Sequence, residues 1–231
     1  VNADGFGVGW DTDRPTPGVY HDTRPAWNDR NLASLAAHTR SPLFFGHIRA
    51  AVGSMVVRSN CHPFSHDRWL FQHNGAIGDF GKTKKRLDMQ ISPQLYAEKQ
   101  GQTDTETMFL LSLTFGLMDD PQGGICRMIE KVEEARREEG VEEAFRMTIA
   151  TSDGETIYAA RYASHDAQPS LYHNAPGAVL EATDGERIEL PADGKLILSE
   201  PLDDLPGHWE EVPETSWLKV SAGVAESSSL F

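Results

Sequence analysis

The chain has 231 residues, of which 39% are hydrophobic and 24% charged, the composition of an ordinary globular protein. Acidic residues outnumber basic ones by 35 to 21, and the net charge of -14 would repel a phosphate backbone, which argues against bulk nucleic-acid binding. No apolar run approaches the ~20 residues that a bilayer-spanning helix needs, so the sequence predicts no membrane span.

The first half of the chain predicts short strands separated by loops. Strands are predicted at residues 6–10, 43–48 and 69–73, a loop at 11–28, and a helix that begins after residue 29. Asp29 is expected to cap that helix, and Pro42 to end the segment. The first strand alternates apolar residues with glycine, which indicates that another backbone or a ligand approaches closely there.

The second half predicts two helices followed by β structure. Helices are predicted at residues 104–118 and 125–139, and strands at 145–149, 157–162, 171–172 and 196–198. Thr103 and Glu106 stand at capping-box spacing before the first helix. Residues 221–231 are small and polar, and we expect them to fray. This order of elements predicts one layered α+β domain over residues 1–231.

The two cysteines, Cys61 and Cys126, are too few for a disulfide framework and match no zinc-binding spacing. No basic segment followed by an apolar one opens the given sequence, so the sequence predicts no secretory signal. Together these features predict a cytoplasmic protein with free thiols.

Four short segments place polar residues at a sharp turn beside an apolar strand or helix. They are residues 2–7, 46–49, 71–75 and 103–106. Each has an ordinary structural interpretation. Asn-Gly after a strand is most often a hairpin turn, and an arginine at a strand end usually lies on the surface. An aspartate after a threonine cap usually interacts favourably with the helix dipole. Taken singly, none of them identifies a function.

Taken in order, these segments resemble the glutamine amidase domain of class II glutamine amidotransferases, which are N-terminal-nucleophile hydrolases. The matching motifs are Asn-Ala-Asp-Gly-Phe-Gly-Val-Gly-Trp at 2–10, Gly-His-Ile-Arg at 46–49, Asn-Cys-His-Pro-Phe at 60–64, His-Asn-Gly at 73–75 and Thr-Asp-Thr-Glu at 103–106. The likeness covers nearly the whole chain and is strongest to stand-alone members that hydrolyse γ-glutamyl amides in thiol-compound metabolism. It implies a four-layer αββα sandwich that needs no cofactor.

The resemblance also implies roles for five residues. The Asn74 side-chain amide and the Gly75 backbone N–H would stabilise the tetrahedral oxyanion of amide cleavage. Arg49 would bind the α-carboxylate of glutamine with its planar guanidinium, and Asp104 the α-ammonium. His73 is placed with the substrate-binding residues. The expected partners are a small molecule, L-glutamine or a γ-glutamyl amide, and a separate enzyme that accepts the ammonia.

The nucleophile of this family is a cysteine that becomes residue one, and its own α-amine assists as base. Val1 cannot play this part, and in relatives the Asn-Ala-Asp-Gly segment lies a few dozen residues inside the protein. We therefore expect the natural start, with its cysteine, to precede this sequence. Cys61, beside His62, is an alternative nucleophile, but the resembling family does not use that position and free cysteines are commonly buried hydrophobes.

Two further alternatives concern metal and catalysis. His62, His66 and His73 are close in sequence, but Pro63 prevents the helix that would bring the first two together, so we expect no metal site. The second alternative is a non-catalytic amino-acid-binding module or regulatory pseudoenzyme, which would bind glutamine through Arg49 and Asp104 without turnover. The true N-terminal residue discriminates it from the enzyme, since only the enzyme needs a cysteine there.

Overall fold

The computed structural model describes residues 2–51, 53–165, 169–181, 187–203 and 205–231. The strands are β1 (Phe6–Trp10), β2 (Gly18–Asp22), β3 (Phe44–Ile48), β4 (Phe64–His66), β5 (Trp69–Ala76), β6 (Arg146–Ser152), β7 (Ile157–Ala163), β8 (Tyr172–Asn174), β9 (Val179–Glu181), β10 (Arg187–Glu189), β11 (Ile197–Leu198), β12 (Trp209–Glu211), β13 (Ser216–Ser221) and β14 (Val224–Ser229). The α-helices are α1 (Arg30–His38), α2 (Phe80–Asp88), α3 (Pro93–Tyr96), α4 (Asp104–Thr114) and α5 (Pro121–Glu138).

The strands form one large antiparallel sheet and several small ones. The six-stranded sheet has the order β14-β13-β7-β6-β5-β4. Two three-stranded sheets have the orders β2-β1-β3 and β11-β8-β12, and β9 pairs with β10. All neighbouring strands in these sheets are antiparallel.

Strand β5 is packed on both faces, and the alternation of its side chains shows how. Trp69 and Phe71 point into the main core, which lies between the six-stranded sheet and helices α2, α4 and α5. The Phe71 ring stacks on Phe109 of α4 with centroids 5.1 Å apart. Leu70, on the opposite face, packs in a second cluster with Leu43 and Phe45 from the β3 segment. The sheet β2-β1-β3 therefore packs on the face of β5 that the helices leave open.

The glycines of β1 allow this close packing. A Cβ on Gly7 would collide with the backbone carbonyl of His62, and a Cβ on Gly9 would lie 2.8 Å from the Pro63 ring. Both contacts are closer than real side-chain atoms tolerate, so the predicted close approach of another backbone to this strand is confirmed.

Several of the predicted elements are confirmed. The strands at 6–10 and 43–48 correspond to β1 and β3, and the Asp29 side chain accepts a hydrogen bond from the Leu32 N–H at 2.8 Å, as expected of a helix cap. The first long helix ends at Thr114, earlier than predicted, and the chain then turns at Gly116 with a φ of 93°. None of the helices in the described ranges is long and apolar enough to cross a membrane.

Two local predictions are wrong. Residues 11–28 are not wholly a loop, because residues 18–22 form β2, which pairs with β1 along its full length. Residues 221–231 do not fray: residues 224–229 form β14 at the edge of the large sheet, and Leu230 is fully buried in the main core. In both places the segment pairs with the strand that precedes it in the sequence, and the polar composition of the segment does not reveal this pairing.

Candidate active site

A cavity of about 1230 Å³ lies where β3, β5 and β6 meet the start of α4 and residues 197–202. All five residues singled out from the sequence line it, namely Arg49, His73, Asn74, Gly75 and Asp104. The structure thus brings together positions up to 55 residues apart in the sequence. The chemical roles of these residues stay predictions. The hydrogen bonds that each residue makes show which of its polar atoms remain available to a ligand.

Arg49 follows the last residue of β3 and is only 4% exposed. Its guanidinium donates to the Asp4 carbonyl at 3.4 Å, to Ser54 Oγ at 2.6 Å and to the Met55 carbonyl at 3.2 Å. Since a guanidinium has about five N–H donors, these three bonds fix its orientation and leave donors for a ligand. Arg49 therefore presents a cation of fixed orientation in the cavity wall and is not a mobile surface side chain.

Asp4 fixes the chain around Arg49. Its Oδ2 accepts a hydrogen bond from the Ala51 N–H at 2.8 Å, and its own N–H donates to the Arg49 carbonyl at 3.1 Å. The aspartate of the first motif therefore holds the turn that positions the arginine, while Asn2 of the same motif lines the cavity.

Asn74 and Gly75 lie within β5 and do not form a hairpin turn. They pair with Thr148 and Met147 of β6 in the antiparallel ladder. At Gly75 the φ is 136°, and a Cβ would collide with the Arg146 carbonyl, so only glycine fits. Within the described residues no hydrogen bond engages the Asn74 side-chain amide, which lines the cavity. Its N–H groups are available to a ligand.

Asp104 is the first residue of α4. Its Oδ2 accepts from the Ile77 N–H at 2.9 Å, and its Oδ1 from the Thr105 N–H at 2.8 Å. Both bonds orient the carboxylate, and each oxygen keeps a lone pair. A carboxylate at a helix N-terminus is also favoured by the helix dipole. Asp104 therefore presents an oriented carboxylate in the wall of the cavity that can bind a cationic group.

The side chain of His73 bridges helix α4 and strand β6. Its Nδ1 lies 3.0 Å from Thr105 Oγ1, and its Nε2 lies 3.4 Å from the Arg146 carbonyl. The carbonyl can only accept, so Nε2 carries the proton and Nδ1 accepts from the threonine hydroxyl. Burial lowers the pKa of His73, and the charge of Asp104 opposes that shift. With both nitrogens bonded, the geometry favours a positioning role for His73 over the substrate contact predicted.

Two residues that the sequence analysis did not assign to the site, Glu106 and Asn60, fix neighbouring loops through hydrogen bonds to backbone groups. Glu106, 5% exposed, accepts from the backbone N–H groups of Gln100 and Gly101 at 2.7 and 2.8 Å and does not reach back to Thr103 as a capping box would. Asn60 accepts from the Gln102 N–H and donates to the Met55 carbonyl, each at 2.9 Å. Both residues belong to the motifs, but their partners are loop amides that no local pattern indicates.

Neither cysteine of the chain lies in the cavity wall. Cys61 is fully buried, its Sγ is 3.6 Å from the Asp22 carbonyl, and burial raises the pKa of its thiol. Cys126, on α5, donates to the Leu230 carbonyl at 3.0 Å, and burial raises its pKa too. A nucleophilic cysteine needs a lowered pKa and access to the substrate. Neither thiol meets these requirements.

The histidines do not assemble a metal centre in the described part of the chain. His66 lies on β4 and its Nδ1 is 2.8 Å from Glu98 Oε2, whereas His73 is bonded as given above. Across the described residues no three His, Cys, Asp or Glu side chains are grouped so that they could hold a metal ion.

Comparison with known proteins identifies the family. Residues 1–184 match the model of the class-II glutamine amidotransferases. The chain belongs to this family.

Relatives and solved structures agree with that assignment. The chain is 32% identical to the probable glutamine amidotransferase DUG3 of Saccharomyces cerevisiae, over 95% of this chain and 70% of the relative. It is 26% identical to the gamma-glutamyl-hercynylcysteine sulfoxide hydrolase of Mycolicibacterium smegmatis, over 93% of this chain and 76% of that protein. A glutamine aminotransferase class-II domain protein from Silicibacter pomeroyi superposes with a TM-score of 0.78 at 38% identity, covering 97% of this chain and 90% of that chain.

A more distant structure shows the fold alone. The phosphoribosylpyrophosphate amidotransferase of B. subtilis has a TM-score of 0.63 at 15% identity, covering 100% of this chain and 44% of that chain. The predicted family and the α+β fold of the N-terminal-nucleophile hydrolase type are thus confirmed. The relationships also support an amidohydrolase activity for this amidotransferase.

Proposed function

We propose that this amidotransferase cleaves the side-chain amide of L-glutamine or of a γ-glutamyl compound through a thioester with an N-terminal cysteine. The observation that carries the proposal is the common cavity of Arg49, Asp104, Asn74 and Gly75. These residues supply one fixed cation, one fixed anion and two neutral N–H donors. A glutamyl amide needs this set of partners, because it carries a carboxylate, an ammonium and a carbonyl that becomes an oxyanion.

The two charged residues account for recognition of the glutamyl end. The remaining N–H groups of Arg49 face a carboxylate as charge-assisted donors, and the Asp104 lone pairs face an ammonium. Both side chains are already oriented by backbone partners. Little side-chain entropy is therefore lost on binding, and a zwitterion is held at both ends.

The two neutral donors account for stabilisation of the transition state. When a nucleophile attacks the amide carbon, the carbonyl oxygen becomes negative, and the free amide of Asn74 and the N–H of Gly75 would donate to it. Such preorganised donors contribute roughly 3–4 kcal/mol each when they face the developing charge. The glycine matters because a side chain at this position would collide with the adjacent strand.

The proposed nucleophile is the thiolate of a cysteine at the mature N-terminus. Its sulfur forms a bond to the amide carbon, the C–N bond then breaks, and the nitrogen takes a proton and leaves as an amine. Water attacks the thioester carbon, the C–S bond breaks, and glutamate is released as the thiol regains a proton. The positions of Cys61 and Cys126 support this assignment, since neither thiol lines the cavity.

The fate of the amine divides the proposal into two forms. Either water alone is the acceptor of the acyl group and the amine diffuses away, or a separate enzyme takes up the ammonia. The names of the mycobacterial relatives favour simple hydrolysis of a γ-glutamyl compound. The two free thiols support the reducing, cytoplasmic setting predicted from the sequence.

The proposal is tested on the full-length protein expressed from its natural start. N-terminal sequencing and intact mass identify the mature terminus, and glutamate release is measured with glutamine and a series of γ-glutamyl amides. We expect a terminal cysteine, activity, and loss of activity when that cysteine is replaced by serine. A different terminal residue, with glutamine binding but no turnover in calorimetry, would refute the enzyme and favour the amino-acid-binding module.

A further inference from the structure

Three buried polar atoms in the wall of the cavity have no hydrogen-bond partner among the described residues. They are Nδ1 of His47, Nδ1 of His62 and Oε1 of Gln72. His62 as a whole is 7% exposed. A single unpaired buried polar atom costs ~1–3 kcal/mol. Three such atoms in one cavity indicate that a ligand completes their hydrogen bonding.

These atoms lie on the two strands that face each other across the cavity and on the segment beside them. His47 belongs to β3 and Gln72 to β5, and the His62 ring centroid is 4.1 Å from that of His47. Gln72 precedes Asn74 by two residues and so projects from the same face of β5. The unpaired oxygen of Gln72 therefore adjoins the proposed oxyanion donor on β5.

Two of the unpaired atoms belong to uncharged imidazole rings, and the third is an amide oxygen. Burial lowers the pKa of His47 to about 4 and that of His62 well below 6.5, and the charges of His73 and Arg49 lower both pKa values further. Both rings are thus neutral at pH 7. A neutral ring carries one N–H and one lone pair, so each unpaired Nδ1 can donate or accept according to its tautomer, whereas an amide oxygen can only accept.

These atoms suit a small ligand that has several N–H donors and a lone pair of its own. A cation is disfavoured because the Arg49 guanidinium lies beside the same histidines. A neutral amine has two or three N–H donors and no charge, and amide cleavage releases one at this place.

We propose that His47, His62 and Gln72 form a subsite for the neutral amine released on cleavage, which is ammonia from glutamine or a primary amine from a γ-glutamyl amide. This inference rests on the proposed function and adds the leaving-group side of the same site. An amine held there is also placed to attack the thioester carbon in the reverse direction.

Hydroxylamine is a suitable probe, because it is a small neutral amine that competes with water for the acyl group. Its nitrogen bonds to the thioester carbon, the C–S bond breaks, and a proton passes from nitrogen to the thiolate, so that γ-glutamyl hydroxamate and free enzyme result. With glutamine saturating, hydroxamate and glutamate are measured together as hydroxylamine is raised. Their ratio reports amine binding independently of how much enzyme is active.

The variants are Gln72→Met, which keeps the length of the side chain, and His62→Phe, which keeps a ring against His47. Each removes one unpaired polar atom. Gln90→Met, on a solvent-facing turn with its Nε2 bonded to the Arg86 carbonyl, is the matched control. We expect the half-saturating hydroxylamine concentration to rise about fivefold to tenfold in either variant, the effect of one lost hydrogen bond, and to stay unchanged in the control.

Three outcomes would overturn the inference. One is a wild-type hydroxamate rate that stays linear in hydroxylamine. Another is an unchanged half-saturating concentration in Gln72→Met and His62→Phe, which would mean that the atoms hold only water. The third is a parallel loss of hydroxamate and glutamate, which would mean that they shape the nucleophile. Full-length wild-type protein that forms neither product would refute the proposed function, and the subsite with it.

Discussion

Replacing Asn74 by alanine tests the oxyanion assignment most directly, because the structure separates its chemical from its structural effect. The side-chain amide has no hydrogen bond in the described part of the chain, and the backbone carbonyl, which accepts from Thr148 Oγ1 at 3.4 Å, is kept in the variant. We therefore expect the free energy of unfolding to change by no more than about 0.5 kcal/mol, as for other exposed positions.

The catalytic effect should be far larger than the structural one. Loss of one preorganised oxyanion donor costs roughly 2.7–4 kcal/mol, or about 10²–10³ in kcat. KM for glutamine should stay nearly constant, because Arg49 and Asp104 hold the other end of the substrate. The expected signature is a fall in kcat with unchanged binding and unchanged thermal stability.

The assay is steady-state glutamate release by the full-length protein, with thermal unfolding of the same samples. Asn31→Ala is the matched control, since Asn31 is an exposed asparagine on α1. A rise in KM with kcat preserved would refute the reasoning, because Asn74 would then contribute to binding alone. An equally large loss in the Asn31 variant would mean that the effect is not specific to the cavity.

Three other substitutions test the remaining parts of the site. Arg49→Lys should raise KM for glutamine about 10- to 100-fold, since charge-assisted hydrogen bonds contribute roughly 1.5–3 kcal/mol and an ammonium cannot reproduce the planar fork; an unchanged KM would contradict the assignment. Asp104→Asn should weaken glutamine but not glutaric acid monoamide, which has no α-ammonium, and equal losses measured for the two compounds would count against an ion pair. His47→Phe tests the pH dependence of stability. Burial lowers the pKa of His47 from 6.5 to about 4. The unfolded chain therefore takes up the proton first, and the stability of the wild-type protein falls as pH decreases from 6.5 towards 4. Urea unfolding should show a smaller loss over that window in the variant, with a difference of up to about 3 kcal/mol at pH 4, whereas parallel curves would mean that the ring does not titrate as stated.

The elements that the sequence predicted correctly are those whose side chains carry the pattern. Strand β5 and helix α4 bury their apolar residues in the main core, so period and composition identify them. Helix α2 was missed because only Thr83 and Leu87 are buried in an otherwise charged segment. Strand β14 was missed because its serines give no alternating apolar pattern, although the strand forms a hairpin with the preceding strand β13.

The site was predictable to the extent that its residues form motifs. The motif resemblance picked out Arg49, Asn74 and Asp104, and the structure brings all three to one cavity. Local rules alone would have misassigned Asn74-Gly75 as a hairpin turn, whereas β6 pairs with it and forces the glycine conformation. The contacts that orient Arg49 come from backbone carbonyls in other segments, and only the folded chain shows them.

The neutral histidines have a consequence for substrate orientation. Among the described residues, the lysines and arginines that line the cavity are Arg49 and Lys84, and Lys84 Nζ is paired with Asp88 Oδ2 at 2.5 Å. If the buried rings of His47 and His62 were protonated, they would compete with Arg49 for the carboxylate and allow the substrate to bind in reverse. Because burial keeps both rings uncharged at neutral pH, the fixed charges define one direction. Under the proposed function, the α-carboxylate of the substrate would therefore meet Arg49 as the one lysine or arginine in the described cavity wall that is not in an ion pair with a carboxylate.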